Sequence, residues 1–407
     1  MYWQVKRKQA LASIRRAGMK RVLVLGGGFA GVEAAIYLRK KKLDVTLVSD
    51  RDYFYIYPTS IWIPTGEVTK EDVSVPLAKL AKNHGFELIV DPVAELLASE
   101  KKVTLSSGRV LDDYRYIVVA LGQDKMKHKG MENTLSICGK PEEATALYEK
   151  LDALVLKGEG KIAMGFGGNP KDTSAVRGGP AFEVLFNVDT YLKKKGVRKN
   201  FELTFFAPMH KPGMKMGEKA LVMMDKMFGM MNIHKQVGSK ITNFVEDGIE
   251  FEDGTKVESD LTMFISAGTG HSIIADSGLP LSDAGFVVTN EYNEIEGFEG
   301  IYAIGDSASL MGPEWRAKQG HVAEVMAKNV AVNIFNDIEN IDAKESYKEH
   351  LNILCVMDTG NGAAFVYRSE KGGKMIPMPI VGHWMKKGWG WYCRHSKLGN
   401  IPRIPGM

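Results

Sequence analysis

The chain has 407 residues, a net charge of +4 and an apolar fraction of 44%. That is enough for two or three cores and too mildly basic to mark a nucleic-acid partner. Its cysteines, Cys138, Cys355 and Cys393, form no C-x-x-C pair, which excludes a disulfide scaffold and a cysteine zinc site; no metal is expected. No run approaches the ~18 apolar residues of a membrane-spanning helix. The basic, mildly amphipathic stretch Met1 to Lys20, with its Arg15-Arg16 pair, lacks the apolar core of a secretory signal.

Arg21–Leu25 reads as a short buried strand. It runs into Gly26-Gly27-Gly28-Phe29-Ala30-Gly31 and then into a helical stretch, Val32 to Leu38. This is G-x-G-x-x-G in the strand–turn–helix context that gives it meaning. Gly26 permits the turn, Gly28 lets the backbone approach a pyrophosphate, and Gly31 lets the helix pack on the strand. The free N–H groups at the helix start, around Phe29 and Ala30, then face phosphate. A second strand, Asp44 to Asp50, ends in an acid nineteen residues after Gly31, where a ribose hydroxyl needs an acceptor. Arg51 follows it.

Next comes an aromatic stretch, Arg51 to Trp62, read as a loop at the end of the second strand. It is either a ligand wall or a hydrophobic patch packed on a neighbouring unit. Leu88 to Asp113 alternate as a small β excursion. Tyr116 to Gly122 form another buried strand closing on Ala120 and Gly122. A second α/β unit opens at Lys161 to Gly168, but Asn169 to Arg177 interrupt the glycine turn before Gly178. Its next strand, Phe201 to Pro208, ends without the acid that NAD needs or the arginine usual for NADP. The unit therefore reads as a copy of the fold without a nucleotide. Met209 to Met231 hold eight methionines, suited to a flexible core or interdomain helix or, alternatively, to a hydrophobic substrate channel. Phe244 to Asp260 read as a hairpin, and Leu261 to Gly268 repeat the strand-to-glycine ending.

Gly300 to Ala308 place Gly305 and Asp306 at the end of a strand. The glycine permits close backbone approach; Asp306 either accepts from a sugar-alcohol hydroxyl or caps the next helix. With the opening motif this is what FAD requires, one site for the pyrophosphate and one for the ribityl chain. A helix is expected over Ala317 to Ile334, with Lys318 and Gln319 at its start directed at the flavin N1/O2 edge. The chain then reads as strand, glycine turn, strand across Leu351 to Tyr367. Trp384, Trp389, Trp391 and Tyr392 follow among Lys386, Lys387, Arg394, Lys397 and Arg403. Rings interleaved with cations suit a membrane surface; a helix docked on its own core or a dimer contact is the alternative.

These stretches resemble the flavoproteins built on two nucleotide-binding folds: type II NADH dehydrogenases, flavocytochrome c sulfide dehydrogenases and, above all, sulfide:quinone oxidoreductases. The narrowing segments are Val48 to Phe54, Ser136-Ile137-Cys138, Gly179-Pro180-Ala181-Phe182-Glu183, Cys355 before its glycine turn, and the aromatic tail. The resemblance implies an α/β protein with two Rossmann-like domains. These are a discontinuous FAD domain (18–155 and 285–340), with Val93 also among its FAD contacts, and a second domain (156–284) without NAD(P). The remaining 341–407 associate with the cell membrane as a peripheral protein and leave room for a homo-oligomer. The resemblance also implies that sulfide or another sulfur species is taken up as a persulfide on cysteine, and that two electrons pass through FAD to a quinone. Cys355 matches one family redox cysteine and Cys138 a variable third. Arg177 stands where the other of the redox pair belongs, and Cys393 is incidental. Glu183 either moves protons or serves as a cap partner. Two rivals remain: a type II NADH:quinone oxidoreductase, which the interrupted second loop opposes, and a flavin-holding protein without sulfide activity, which Arg177 favours.

Overall fold

The computed structural model describes residues 20–404 and 406; the basic stretch before Lys20, including Arg15 and Arg16, lies outside them. β1 (Arg21–Leu25) has four wholly buried apolar side chains, as a strand covered on both faces requires. It leads through the glycine turn into α1 (Phe29–Lys40), then β2 (Asp44–Ser49), β3 (Glu87–Val90) and β4 (Tyr116–Val119). The second unit contains α2 (Pro141–Lys157), β5 (Gly160–Phe166), α3 (Gly179–Lys194), β6 (Phe201–Ala207), α4 (Glu218–Met230), β7 (Ile233–Val237) and β8 (Leu261–Ile265). The chain then returns with β9 (Ile301–Ala303) and α5 (Gly320–Ile338).

The first sheet has the order β9-β4-β1-β2-β3 and is parallel throughout. Strand order reverses between β1 and β4, so a crevice opens at their carboxyl ends. The second sheet, β7-β6-β5-β8, is also parallel. Asp124–Lys125 pair antiparallel with Gly268–Thr269 where the chain leaves the first unit and comes back.

Several local expectations change. The aromatic stretch is not a loop: Tyr53–Tyr55 pair with Ser74–Pro76, and a helical turn spans Tyr57–Ser60. Phe54, Tyr55 and Trp62 are buried, and Trp62 Nε1 donates to Asp358 Oδ1 at 3.1 Å, so the stretch packs on the C-terminal region. The expected hairpin gains a third strand: Ile241–Val245, Gly248–Phe251 and Lys256–Glu258 form a meander. The helix expected over 317–334 is α5, shifted towards the C-terminus. The methionine-rich helix α4 lies between β7 and a C-terminal strand, an interdomain position.

The C-terminal region is a meander of β10 (Ile353–Asp358), β11 (Gly362–Ser369) and β12 (Gly372–Pro379), followed by α6 (Val381–Lys397). Apart from Lys387, which lies over the Trp384 ring, the rings and cations of α6 part in space. Lys386 and Lys397 point inward and are buried, while Ile380, Val381, Trp384 (65% exposed) and Trp391 (56%) face out. Charges that find buried partners go in; the side chains left outside are apolar. Among the described residues no helix is long and apolar enough to cross a membrane.

Candidate active site

The two glycine turns expected to converge do so. A Cβ on Gly305 would lie 2.8 Å from Ala30 Cβ, and one on Gly320 3.6 Å from Phe29 Cδ1. Gly26 has φ +114°, and an added Cβ would meet the Ala120 carbonyl at 2.2 Å; one on Gly31 would meet the Gly26 carbonyl at 1.8 Å. Gly28 is different: nothing lies within 4 Å of its Cβ position. The N-terminus of α1 carries no side-chain cap, so its first-turn N–H groups point at an open cradle. Asp50 is exposed just past β2. Arg51 lies over the Tyr53 ring and keeps a buried, unpartnered Nε. Val93 is buried at the start of the β excursion, beside Asp91, whose N–H donates to the Ser49 carbonyl at 2.8 Å. Gly122 N–H donates to Ser307 Oγ at 2.9 Å, tying β4 to the Gly305–Asp306 turn. An uncapped helix start, an open glycine and an acid at the end of the second strand fit FAD.

Lys318 is placed differently from expectation. It is buried and its Nζ donates to the carbonyls of Asp306 (2.9 Å) and Ala308, above the Phe286 ring. It secures the Asp306 turn instead of reaching past it, because its Nζ is held by those two carbonyls. Gln319 is the N-cap residue of α5 and offers no side-chain cap; its Oε1 takes the Leu354 N–H at 3.4 Å. Burial lowers the Lys318 pKa to about 7 from the ordinary 10.5. Between those values the unfolded chain binds the extra proton, so folding stability rises with pH across that window. The unfolding midpoint of FAD-free protein should therefore climb from about pH 7 to about pH 9, and Lys318→Met should flatten that climb.

The interrupted loop of the second unit is filled by its own side chains. Asn169 Oδ1 takes the N–H groups of Lys171 (2.9 Å) and Asp172 (3.3 Å), and Asp172 Oδ1 takes Ser174 N–H at 2.8 Å. Asn169 Nδ2 donates to the Gly268 carbonyl at 2.8 Å. Lys215 Nζ fixes the loop from outside, donating to the Thr173 carbonyl at 2.5 Å. Amides that would cradle a phosphate in a Rossmann turn are here held by a carboxylate and an amide of the same loop.

Arg177, at the position where a cysteine was expected, forms an ion pair with Asp306. With its amide oxygen turned inward, Gln123 also accepts from Arg177 Nη2 at 3.1 Å and Nε at 3.0 Å. Asp306 is thus neither a helix cap nor an isolated acceptor. Cys138 is a free, partly buried thiol here. Burial raises its pKa, while Arg177 and Lys125 pull the other way.

Cys355 and Glu183 meet, as neither β10 nor α3 announces alone. Cys355 Sγ lies 3.9 Å from Glu183 Oε1. Glu183 Oε2 takes the Asp358 N–H at 3.1 Å and forms an ion pair with Lys386 of α6. Glu183 is buried in the second turn of α3 and caps nothing. Burial raises its pKa against the pull of Lys386. Burial, and then the Glu183 carboxylate, push the Cys355 thiol up to about 12. The two cysteines share no partner. Cys138 faces cations that oppose its burial without overcoming it; Cys355 faces a carboxylate, the setting of a thiol beside a base. Cys393 is buried in α6. Sequence reading missed Lys386 as the partner of Glu183. Its signal was helical spacing, with His383, Lys386, Cys393 and Lys397 on one face.

The sequence profile of the pyridine nucleotide-disulphide oxidoreductases matches residues 20–327. The chain is 29% identical over 373 residues to the sulfide-quinone reductase of Aquifex aeolicus, covering 86% of this chain and 83% of that protein. It is 25% identical to a type II NADH:quinone oxidoreductase of Staphylococcus saprophyticus, covering 87% and 92%. The crystal structure of the Aquifex aeolicus sulfide:quinone oxidoreductase superposes with a TM-score of 0.83 at 26% identity, over 94% of this chain and 92% of that one. The profile match spans well over half the sequence and includes both glycine turns, so the chain belongs to the pyridine nucleotide-disulphide oxidoreductases and is an FAD-dependent oxidoreductase.

Proposed function

We propose that the protein passes two electrons from sulfide, or a related sulfur species, to a quinone at a membrane surface. The carrying observation is the second glycine loop: Asn169 and Asp172 already hold the amides that a nicotinamide dinucleotide would need, which leaves 156–284 as a structural copy of the fold and favours a donor other than NADH. Similarity to the sulfide-quinone reductase points to sulfur as that donor.

The FAD cradle is Gly26 to Gly31, Asp50, Gly122 and Asp306, with Arg177 and Lys318 fixing the Asp306 turn. FAD bound there supplies two-electron chemistry, linking a donor to an acceptor that never meet. Joining hydrosulfide to a cysteine thiol as a persulfide releases two electrons and one proton. Cys355 is the proposed thiol. Glu183, a carboxylate of raised proton affinity beside it, receives the proton and shares it with Lys386. That pair then stands ready to protonate the quinone. The outward apolar side chains of α6 and Ile376 would settle into the lipid headgroup region, where quinones are found.

Purified holoprotein mixed anaerobically with sulfide should lose its oxidised-flavin absorbance and regain it on adding a quinone, whereas NADH should leave the spectrum unchanged. Bleaching by NADH and not by sulfide would sink the reading. Cys355→Ser should slow bleaching by sulfide by roughly two orders of magnitude or more; if Cys138→Ser does so instead, the persulfide belongs on Cys138.

A further inference from the structure

The proposed chemistry leaves one proton unaccounted for. Persulfide formation releases one, but a quinone that accepts two electrons forms two O–H bonds. The second proton must enter from solvent, and the Glu183–Lys386 pair that would deliver it is buried.

A chain of acids and an imidazole runs from the surface to Asp358, a residue whose backbone N–H touches that pair. Glu67 lies just past the aromatic stretch with 27% of its side chain exposed, paired with Lys387. Its Oε1 meets His383 Nε2 at 3.0 Å. The other imidazole nitrogen, Nδ1, meets Asp358 Oδ2 at 2.7 Å. Asp358 has no exposed surface; its Oδ1 accepts from Trp62 Nε1 (3.1 Å) and Gly360 N–H (2.8 Å). Its own N–H donates to Glu183 Oε2. His383 and Lys386 are one turn apart on α6, so the same helix carries both the imidazole and the ammonium. The Trp62 indole packs edge-on to the imidazole, with ring centroids 5.5 Å apart. The charged groups around His383 are therefore Glu67 and Lys387 on the solvent side, and Asp358, Glu183 and Lys386 on the inner side.

An imidazole held by a carboxylate at each nitrogen is more than packing requires. A histidine serving only as filler would need one partner; here one partner is exposed and the other is tied to the buried pair. This resting state suits a shuttle, in which one nitrogen gains a proton while the other gives one up.

We propose that Glu67, His383 and Asp358 form the proton entry path that recharges the Glu183–Lys386 pair during quinone reduction. This rests on the quinone being the electron acceptor. A proton from solvent binds Glu67 and moves to His383 Nε2. The Nδ1–H bond breaks as Asp358 Oδ2 gains the proton. The protonated Asp358 carboxyl then turns from His383 towards Glu183, whose Oε2 already lies against the Asp358 backbone N–H, and gives the proton to that carboxylate, replacing the one given to a quinone oxygen. The electrons are the two that the bound cofactor delivers, so each turnover consumes one solvent proton through this path.

The test isolates the acceptor half. Holoprotein is reduced with dithionite, freed of excess reagent, and mixed with a short-chain quinone in a stopped-flow instrument. His383→Gln and Glu67→Gln should each slow flavin reoxidation about tenfold or more, while the starting flavin spectrum stays that of wild type. Both rates should fall further as pH rises, because protons must then come directly from bulk water. Added imidazole should restore a His383→Ala variant. Wild-type rates and pH profile in both variants would overturn the relay, as would slowing that neither pH nor imidazole changes. Wild-type protein whose reduced flavin ignores the quinone would overturn the parent reading, and the relay with it.

Discussion

Exchanging Lys397 for methionine is expected to cost about 3–5 kcal/mol of stability and to loosen the hold on FAD. Lys397 has no exposed surface. Its Nζ pairs with Glu33 of α1 and, at 2.9 Å, with Glu324 of α5. Arg403 completes the group, with Nε 2.9 Å from Glu33 Oε1 and a second pairing to Glu324. Two carboxylates and two cations thus neutralise one another in the core. Burial would raise the Glu33 pKa, but Lys397 and Arg403 outweigh it and hold the carboxyl below the ordinary range. Glu324 goes the other way, raised by burial and by Glu33. Removing Lys397 alone strands a buried negative charge, the costly case. Removing Glu324 with it, as Lys397→Met with Glu324→Leu, should recover most of the loss. Denaturant titration of the three proteins checks this; a single-variant loss below about 1 kcal/mol would refute it. Glu33 sits one turn from the phosphate-facing end of α1, so FAD occupancy should fall with stability.

Gly28→Val and Gly31→Val should fail in opposite ways. At Gly28 the Cβ meets no protein atom, so the substituted chain folds, but its side chain occupies the pyrophosphate space. FAD binding should weaken by about two orders of magnitude, roughly 2.7 kcal/mol, with circular dichroism unchanged. At Gly31 the Cβ would lie 1.8 Å from a backbone oxygen. There the α1–β1 packing itself cannot form, and little soluble protein is expected. Isolation of a folded, yellow Gly28→Val protein would show that the cradle lies elsewhere.

The convergence of the two glycine turns was legible in the sequence because its demands are local. Gly26, Gly28 and Gly31 act through backbone geometry within one strand, turn and helix, and Gly305–Asp306 repeat the logic at another strand end. The catalytic candidates were half legible. Cys355 and Glu183 could be named, but not that Lys386 joins them, because 31 residues and a meander separate Cys355 from it in sequence. Which side chains of the tail face inward was not legible for a different reason. Composition records that cations and rings alternate; only helical phase, combined with the carboxylates waiting on α1 and α5, says which of them turn inward. The function of Lys318 was missed because a cation beside a glycine turn suggests a ligand, and backbone carbonyls as partners leave no trace in composition.

The pairing of Lys397 and Arg403 with Glu33 also sets an order of events during synthesis. The helix proposed to face the FAD phosphates is synthesised long before the cations that neutralise its buried acid, Glu33 preceding Lys397 and Arg403 in the chain. Until they arrive, the nascent first unit carries an unbalanced charge and lacks β9. Cofactor loading is therefore expected to wait for Lys397 and Arg403, and a translation arrest before Lys397 is expected to yield a colourless product, however much of the glycine turn has been made.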